Sequence, residues 1–136
     1  MGFVDAFRSS FSSSSPWPPQ AQVWDCFNRA QALSAAFEVH EVALRSGFMP
    51  EEATTLSLTV AELASNAVEH GKGGVTSVFF RDNGWRVEVS DAGPGFAAGV
   101  QPALSSLSPD ALSSVRVVKK PTGGSLVVAE YERRER

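Results

Sequence analysis

The first half of the chain carries two long segments whose apolar residues repeat with the period of a helix. The first runs from about residue 22 to residue 46, and its stripe at i, i+4, i+7 and i+11 consists of Leu33, Phe37, His40 and Leu44. Gly47 is a natural end for this helix. A single histidine on such a stripe is more often a packed or boundary residue than a ligand, so His40 is assigned no chemistry.

The second segment predicts a helix that begins at Pro50 and ends at Gly71. Proline suits the first helical position, and Glu51 and Glu52 in the first turn complement the helix dipole. The apolar stripe of this helix is formed by Leu56, Val60, Leu63 and Ala67.

Alternation with a period of two follows the second helix. Residues 75–81 are rich in Val and Phe, and residues 84–90 alternate apolar with charged or polar side chains. The sequence Asp82-Asn83-Gly84 between them is a strong signal for a tight turn. Together these segments predict a β-hairpin.

The last third of the chain predicts a loop, a helix and a strand. Residues 96–109 are rich in Gly, Pro, Ser and Ala, which is typical of a mobile segment. Asp110 is placed to cap a short helix reaching about Val118, and residues 125–131 predict a final strand. The complete order indicates an α+β fold, a two-layer α/β sandwich with helices on one face of a mainly antiparallel sheet.

The chain has 136 residues, which is room for one domain, and its first 20 residues differ from the rest. They are rich in Ser and Pro, and we interpret residues 1–20 as a flexible segment preceding a domain over residues 21–136. Four apolar residues in this segment, Phe3, Val4, Phe7 and Phe11, are more than a linker needs. Docking on the domain or on a partner is therefore an alternative to a loose tail.

Charge and cysteine content exclude several classes of function. The formal net charge of -3 gives no electrostatic basis for nucleic-acid binding, and we interpret Lys119-Lys120 as solvated. Cys26 is the only cysteine, and its apolar neighbours predict a small buried side chain rather than a nucleophile. No apolar run approaches the roughly 18–20 residues of a membrane span, and no signal peptide is visible. We expect a cytoplasmic protein.

Two groups of residues are candidates for chemistry. Glu62 and Asn66 are spaced i, i+4 on the second helix among small and apolar residues, so they project from one face. Polar pairs on helices are also commonly exposed and inert. At the end of the second hairpin strand stands Asp91-x-Gly93-x-Gly95, whose glycines let a ligand approach the main chain and whose aspartate can accept a hydrogen bond from a ligand amino group. A structural turn is the alternative there.

Taken together, these two groups resemble a known family. The run Glu62-Leu63-Ala64-Ser65-Asn66-Ala67-Val68-Glu69-His70-Gly71, followed about twenty residues later by Asp91-Ala92-Gly93-Pro94-Gly95, resembles the N box and the first glycine box of the GHKL ATPase/kinase superfamily, which has the Bergerat fold. Within it, the chain is similar to the small anti-sigma-factor serine kinases of bacterial partner switching. The resemblance covers roughly residues 22–131.

The resemblance implies ATP and Mg²⁺ as ligands and a role for each residue. Asn66 would supply an oxygen ligand to Mg²⁺, a hard cation that prefers oxygen. Glu62 would be the general base, taking the proton from an attacking hydroxyl. Asp91 would bind the adenine amino group.

The remaining matches concern the surroundings of the nucleotide. Gly93 and Gly95 would let the turn pack against it, and His70 matches a histidine near the phosphates, with a plain helix-end role as the alternative. Residues 96–112 would be the ATP lid. The second glycine motif of the family, which holds the phosphates, is missing, because residues 108–114 contain no glycine and Asp110 adds a negative charge.

Two functions are consistent with the matching residues and the missing second glycine motif. The first is an ATP-binding anti-sigma-type regulator, expected to act as a serine/threonine kinase that binds a sigma factor or phosphorylates a small antagonist protein. The second is a non-catalytic protein-binding module that keeps the Bergerat scaffold but has lost efficient ATP binding. Kinase activity is left open between them, and so is homodimer formation.

Overall fold

The computed structural model describes residues 20–91, 107, 110–121 and 123–133. They form two helices and five strands. In chain order these are β1 (Gln22–Cys26), α1 (Arg29–Arg45), α2 (Pro50–Gly71), β2 (Gly74–Arg81), β3 (Gly84–Asp91), β4 (Ser114–Lys119) and β5 (Ser125–Glu132). The flexible segment predicted for residues 1–20 lies outside the described residues, except for Gln20.

The five strands form one antiparallel sheet in the order β1-β2-β3-β5-β4. The predicted hairpin is confirmed, because Arg81 pairs with Gly84 and leaves a two-residue loop. Gly84 is required there, since a Cβ at this position would overlap the carbonyl oxygen of Tyr131. Both helices pack on the sheet, which confirms the α+β two-layer sandwich.

Helix α2 has the predicted boundaries, Pro50 and Gly71. All four residues of its predicted stripe are buried: Leu56, Val60, Leu63 and Ala67. Lys72 follows in the left-handed conformation with φ 63°, and the amide of Gly73 donates to the carbonyl of Ala67 over 2.7 Å. This turn leads directly into β2.

The prediction for the first helix was wrong at its start and in its buried face. Residues 22–26 are an edge strand, and α1 begins only after Asn28, whose Oδ1 accepts from the amide of Gln31 over 2.9 Å. The buried residues of α1 are Ala32, Ala35, Ala36, Val39 and Ala43, whereas Leu33, Phe37 and Leu44 are exposed. Small residues on the buried side allow α1 to approach α2 closely, and the Ser57 hydroxyl of α2 donates to the carbonyl of Ala36 over 2.8 Å.

The helix predicted from Asp110 to Val118 was also wrong. Residues 114–119 are strand β4, which pairs with β5 from Ser114↔Glu130 to Lys119↔Ser125. Val115 and Val117 are half-buried against the core, while Arg116 and Val118 are exposed. The alternation of β-branched residues over this segment suits a strand at the edge of a sheet better than a helix.

A buried carboxylate fixes the start of α2 to the end of β5. Glu52 accepts from the Tyr131 hydroxyl over 2.6 Å, from the Arg133 guanidinium over 2.8 and 3.0 Å, and from the Met49 amide over 2.8 Å. The Arg133 bonds are the main reason that the pKa of Glu52 is lowered to about 2. Burial, together with the bond to Glu52, raises the pKa of Tyr131 to about 12, so its hydroxyl stays protonated as a donor at neutral pH.

We expect Glu52→Gln to lower the free energy of unfolding at pH 7 by about 2–3 kcal/mol. Because the pKa of Glu52 is lower in the folded than in the unfolded chain, its contribution is complete above about pH 5 and is lost as the pH falls towards about 2. Urea unfolding at several pH values between 2 and 7 measures this contribution. The exposed neighbour Glu51→Gln is the control, and an equal pH dependence in both variants would contradict the assignment.

Candidate functional site

Asp91 is the last residue of β3, opposite Gly74, the first residue of β2. The residue is only 3% exposed, and its Oδ1 is buried without a hydrogen-bond partner among the described residues. A buried carboxylate oxygen that lacks a partner is costly, because the oxygen loses its hydration without compensation. Oδ1 is therefore a candidate acceptor for a hydrogen bond from a ligand or an ordered water.

The carboxylate of Asp91 lies directly over Gly71, the last residue of α2. A Cβ at residue 71 would lie 2.6 Å from Cγ and 2.8 Å from Oδ1 of Asp91, which is closer than atoms can approach. Gly71 is therefore needed for its lack of a side chain, in addition to ending the helix. This contact joins the end of α2 to the end of β3 and fixes the position of the aspartate.

An open cavity of about 360 Å³ adjoins Asp91. Its walls come from the α2–β2 turn, the end of β3, the residue after β1 and the residue after β4. They are formed by Phe27, Gly71, Lys72, Gly73, Gly74, Val75, Ser90, Asp91 and Lys120. Two of these side chains are cations, and one of them is fixed in place, since Lys120 Nζ donates to Ser90 Oγ over 2.7 Å.

Among the nine residues that line this cavity, sequence reasoning predicted a ligand contact only for Asp91, and Phe27 and Lys120 are the two that lie outside residues 71–91. Lys120 is half-buried and bonded to β3, although it was interpreted as solvated. Phe27 is 56% exposed and lines the same cavity, although it was considered only as an apolar neighbour of Cys26. Neither residue could be found from the sequence, because this requires knowing that β1 and β4 both terminate at the same end of the sheet as β3, whose last residue is Asp91. Cys26 itself is fully buried, as predicted, and burial raises the pKa of its thiol.

Glu62 and Asn66 both lie on α2, one turn apart, and both are half-buried. The Nδ2 atom of Asn66 is buried and has no hydrogen-bond partner in the part of the chain that the structure describes. A carboxamide offers both an oxygen acceptor and two donors, so Asn66 remains available to a ligand. Asn66 precedes Gly71 by five residues, which is about 7.5 Å along the helix axis. One helix therefore carries the amide and meets the aspartate of β3.

His70 lies in the last turn of α2, where a cation complements the helix dipole. Its side chain is 58% exposed, and Nε2 is 3.7 Å from Oε1 of Glu69. This position fits the helix-end role that was the alternative for His70. Its proximity to a nucleotide stays a prediction, as do the roles of Gly93 and Gly95, which lie outside the described residues together with most of the predicted lid.

Two further findings limit the chemistry of the described part of the chain. No group of three or more His, Cys, Asp or Glu side chains in it is arranged to hold a metal ion. A Mg²⁺ site that uses one protein oxygen together with nucleotide phosphates and water needs no such group. Within the same residues, no helix has the length and apolar character needed to cross a membrane.

Replacing Gly71 with alanine is expected to push the Asp91 carboxylate out of place and to destabilise the fold by about 1–3 kcal/mol. The added Cβ would overlap three Asp91 atoms, of which Cβ, 2.9 Å away, is the least able to move. Urea unfolding measures the loss. In an Asp91→Ala background, Gly71→Ala should lower the free energy of unfolding by less, because Cγ and Oδ1 of Asp91 are absent. Equal losses in both backgrounds would mean that contact with the Asp91 carboxylate is not what requires glycine at position 71.

Residues 28–124 match the family described as histidine kinase-like ATPase domain. The match extends over more than two thirds of the 136 residues and includes Glu62, Asn66 and Asp91. No curated protein matches the chain.

Proposed function

The chain belongs to the histidine kinase-like ATPase domain family, and from this premise we propose that it binds Mg-ATP through Asp91 and Asn66. The observation that carries the proposal is the buried, unpartnered Oδ1 of Asp91 above Gly71. We further propose that the protein is a serine/threonine kinase of the anti-sigma type, which acts on a small antagonist protein in a bacterial partner-switching pathway.

At the base end of the nucleotide, the Asp91 carboxylate accepts a hydrogen bond from the amino group of adenine. This bond supplies the partner that Oδ1 lacks among the residues described here. Guanine presents a carbonyl oxygen at the same position of its ring, and a carboxylate repels that oxygen. The site therefore favours adenine over guanine.

At the phosphate end, the side-chain oxygen of Asn66 would hold Mg²⁺. When bound, the ion would supply neutralisation of the charge on the phosphates. Asn66 suits this role because its carboxamide lies on the helix that also meets Asp91. Gly93, Gly95 and His70 are proposed to line the nucleotide.

Glu62 is proposed as the general base, one helical turn before Asn66. Its carboxylate takes the proton from a serine or threonine hydroxyl of the antagonist as the hydroxyl oxygen bonds to the γ-phosphorus. The bond from the γ-phosphorus to the oxygen that bridges it to the β-phosphorus breaks, and ADP leaves. In this arrangement one helix holds both the base and the metal ligand, which sets their separation.

The partner is proposed to be a sigma factor, an antagonist protein, or each in turn according to the phosphorylation state of the antagonist. The net charge of -3 supports a protein partner over direct nucleic-acid binding. Action in the cytosol, where sigma factors work, is part of the same proposal.

One observation favours a second function, a non-catalytic module that binds proteins through the same scaffold. Phosphate groups are commonly held by the amides at a helix N-terminus, and a helix was predicted to begin at Asp110. The chain forms strand β4 at residues 114–119 instead, and residues 110–113 are not helical. Between residues 110 and 133, the described part of the chain therefore offers no helix N-terminus to the phosphates.

Calorimetric titration with ATP, in the presence of Mg²⁺ and again in the presence of EDTA, tests the proposal. The parent protein is expected to bind Mg-ATP saturably, and Asn66→Ala is expected to weaken Mg-ATP binding at least about tenfold, since it removes a metal ligand. Its affinity for metal-free ATP should stay within about twofold of the parent, because Asn66 acts through the ion.

Asn83→Ala is the matched control, since Asn83 lies in the β2–β3 turn at the opposite end of the strands. Equal Mg-ATP binding in the parent and Asn66→Ala would contradict the assigned metal ligand. No binding up to millimolar ATP would favour the non-catalytic module.

A further inference from the structure

Phe27 lies between the last residue of β1 and the N-cap of α1, and its backbone is held in place although the residue is 56% exposed. Its amide donates to the Gln31 side chain over 2.7 Å, and the Asn28 side chain accepts from the Gln31 amide over 2.9 Å. These two bonds tie the backbone of residues 27 and 28 to the first turn of α1. An exposed aromatic ring is thus carried by a fixed segment of the chain.

The turn that follows α2 is shaped around the same residue. Gly73 has φ 88°, and a Cβ on it would lie 2.7 Å from Phe27 Cα and 2.8 Å from Phe27 Cδ1. Gly71, two residues earlier, leaves the space that the Asp91 carboxylate occupies. The Cα atoms of residues 71 and 73 are at most about 7 Å apart, since two residues cannot span more. One short turn therefore contacts both the ring and the carboxylate, and both line the cavity.

The Phe27 ring is available to a ligand on its exposed side. Among the described residues, no aromatic ring or cation stacks on it, and Lys120, the fixed cation of the cavity, is bonded to Ser90 instead. Ligand sites combine an apolar or aromatic wall with a few polar groups that set the orientation of the ligand. The cavity has this composition, with Phe27 as its aromatic wall and Asp91 as its buried polar group.

We propose that Phe27 stacks on the base of the bound nucleotide, a role that rests on the nucleotide site proposed above. An aromatic ring stacks on any base, because every base presents a π-face. A hydrogen-bonding group such as a carboxylate distinguishes bases by the groups at their edges. Phe27 therefore supplies affinity that does not depend on which purine is bound, whereas Asp91 supplies the preference for adenine.

Calorimetric titration of variants at position 27 with Mg-ATP tests the proposal. Phe27→Ala is expected to weaken binding about 5- to 100-fold, the usual range for the loss of base–aromatic stacking. Phe27→Tyr, which keeps the ring, should bind within about twofold of the parent. Phe27→Leu, which keeps an apolar side chain but no ring, should lose at least about fivefold. Since Phe27 is outside the buried core, the unfolding midpoint in urea verifies that each variant is folded.

Phe27→Trp adds a spectroscopic readout of stacking. An indole that stacks on a base is quenched, so Mg-ATP should lower the fluorescence of this variant by more than it lowers that of the parent. The parent measures the background from the tryptophans that the chain already contains, among them Trp24 and Trp85. An equal change in both proteins would contradict stacking at position 27.

Phe37→Ala is the matched control, since Phe37 is 76% exposed on α1 and does not line the cavity, and this variant should bind Mg-ATP within about twofold of the parent. A parent that binds Mg-ATP, together with a Phe27→Ala variant that binds it equally tightly, would overturn the stacking and leave the nucleotide site standing. So would Phe27→Leu binding as tightly as Phe27→Tyr. A parent that does not bind ATP would overturn both proposals.

Discussion

Glu62→Gln is expected to lower the rate of ADP formation about 100- to 10,000-fold while Mg-ATP affinity stays within about threefold. A positioned general base contributes about this much to a rate, and glutamine keeps the size of the side chain while losing the ability to take a proton. The measurement is ADP release from saturating Mg-ATP, with water or a serine-containing antagonist as the phosphoryl acceptor. Titration calorimetry on the same protein gives the affinity.

Glu51→Gln is the matched control for this prediction. Glu51 lies eleven residues before Glu62 on α2, three turns away on nearly the same face, and is exposed. Its loss should leave both the rate and the affinity unchanged. A Glu62→Gln variant that releases ADP as fast as the parent would rule out the proposed role of Glu62 as the base, without bearing on the proposed adenine contact of Asp91.

The elements that could be predicted are those for which local signals and tertiary packing agree. Helix α2 combines proline at its first position, acidic residues in its first turn, a glycine at its end and one continuous buried stripe. The β2–β3 hairpin combines alternation with a two-residue loop. In such segments each local preference supports the native structure, and the sequence alone is then sufficient.

Helix α1 was predicted in the wrong orientation because size was taken as the measure of burial. The stripe with the largest apolar residues predicted one helix face, but close contact with α2 requires small residues, and the alanines provide them. The start of the helix had a readable signal that was not used: Asn28 and Gln31 form a reciprocal cap, in which the Gln31 side chain accepts from the amide of Phe27 over 2.7 Å. Strand β1 has too few residues to show alternation.

Strand β4 was mistaken for a helix because Asp110 resembles a helix cap and most of the residues that directly follow it have small side chains. Its strand structure depends on pairing with β5, a contact that single-sequence patterns do not reveal. This error also matters for function. Among the described residues after β3, no helix N-terminus is available to the phosphates of the proposed nucleotide, so its affinity would depend more on the proposed contacts of Asp91 and Asn66.

The candidate site, like the fold, could be predicted from the sequence only in part. Glu62, Asn66 and Asp91 could be selected from the sequence, because polar residues in apolar surroundings are visible there. What could not be selected is the contact that fixes the aspartate, since Gly71 and Asp91 are twenty residues apart and meet only through the sheet. The cavity wall made by Phe27 and Lys120 likewise depends on the strand order.

Asp91→Asn is expected to weaken ATP binding about 10- to 100-fold, since a hydrogen bond to a charged acceptor contributes roughly 1.5–3 kcal/mol. The preference for ATP over GTP should narrow, because the carboxylate that repels the guanine carbonyl is gone. The unfolding midpoint should change little, since Oδ1 has no hydrogen-bond partner among the described residues to lose. Asp25→Asn, an exposed aspartate of β1 in the same sheet, is the control. Calorimetry with both nucleotides measures the outcome, and undiminished ATP affinity in Asp91→Asn would mean that the base binds elsewhere.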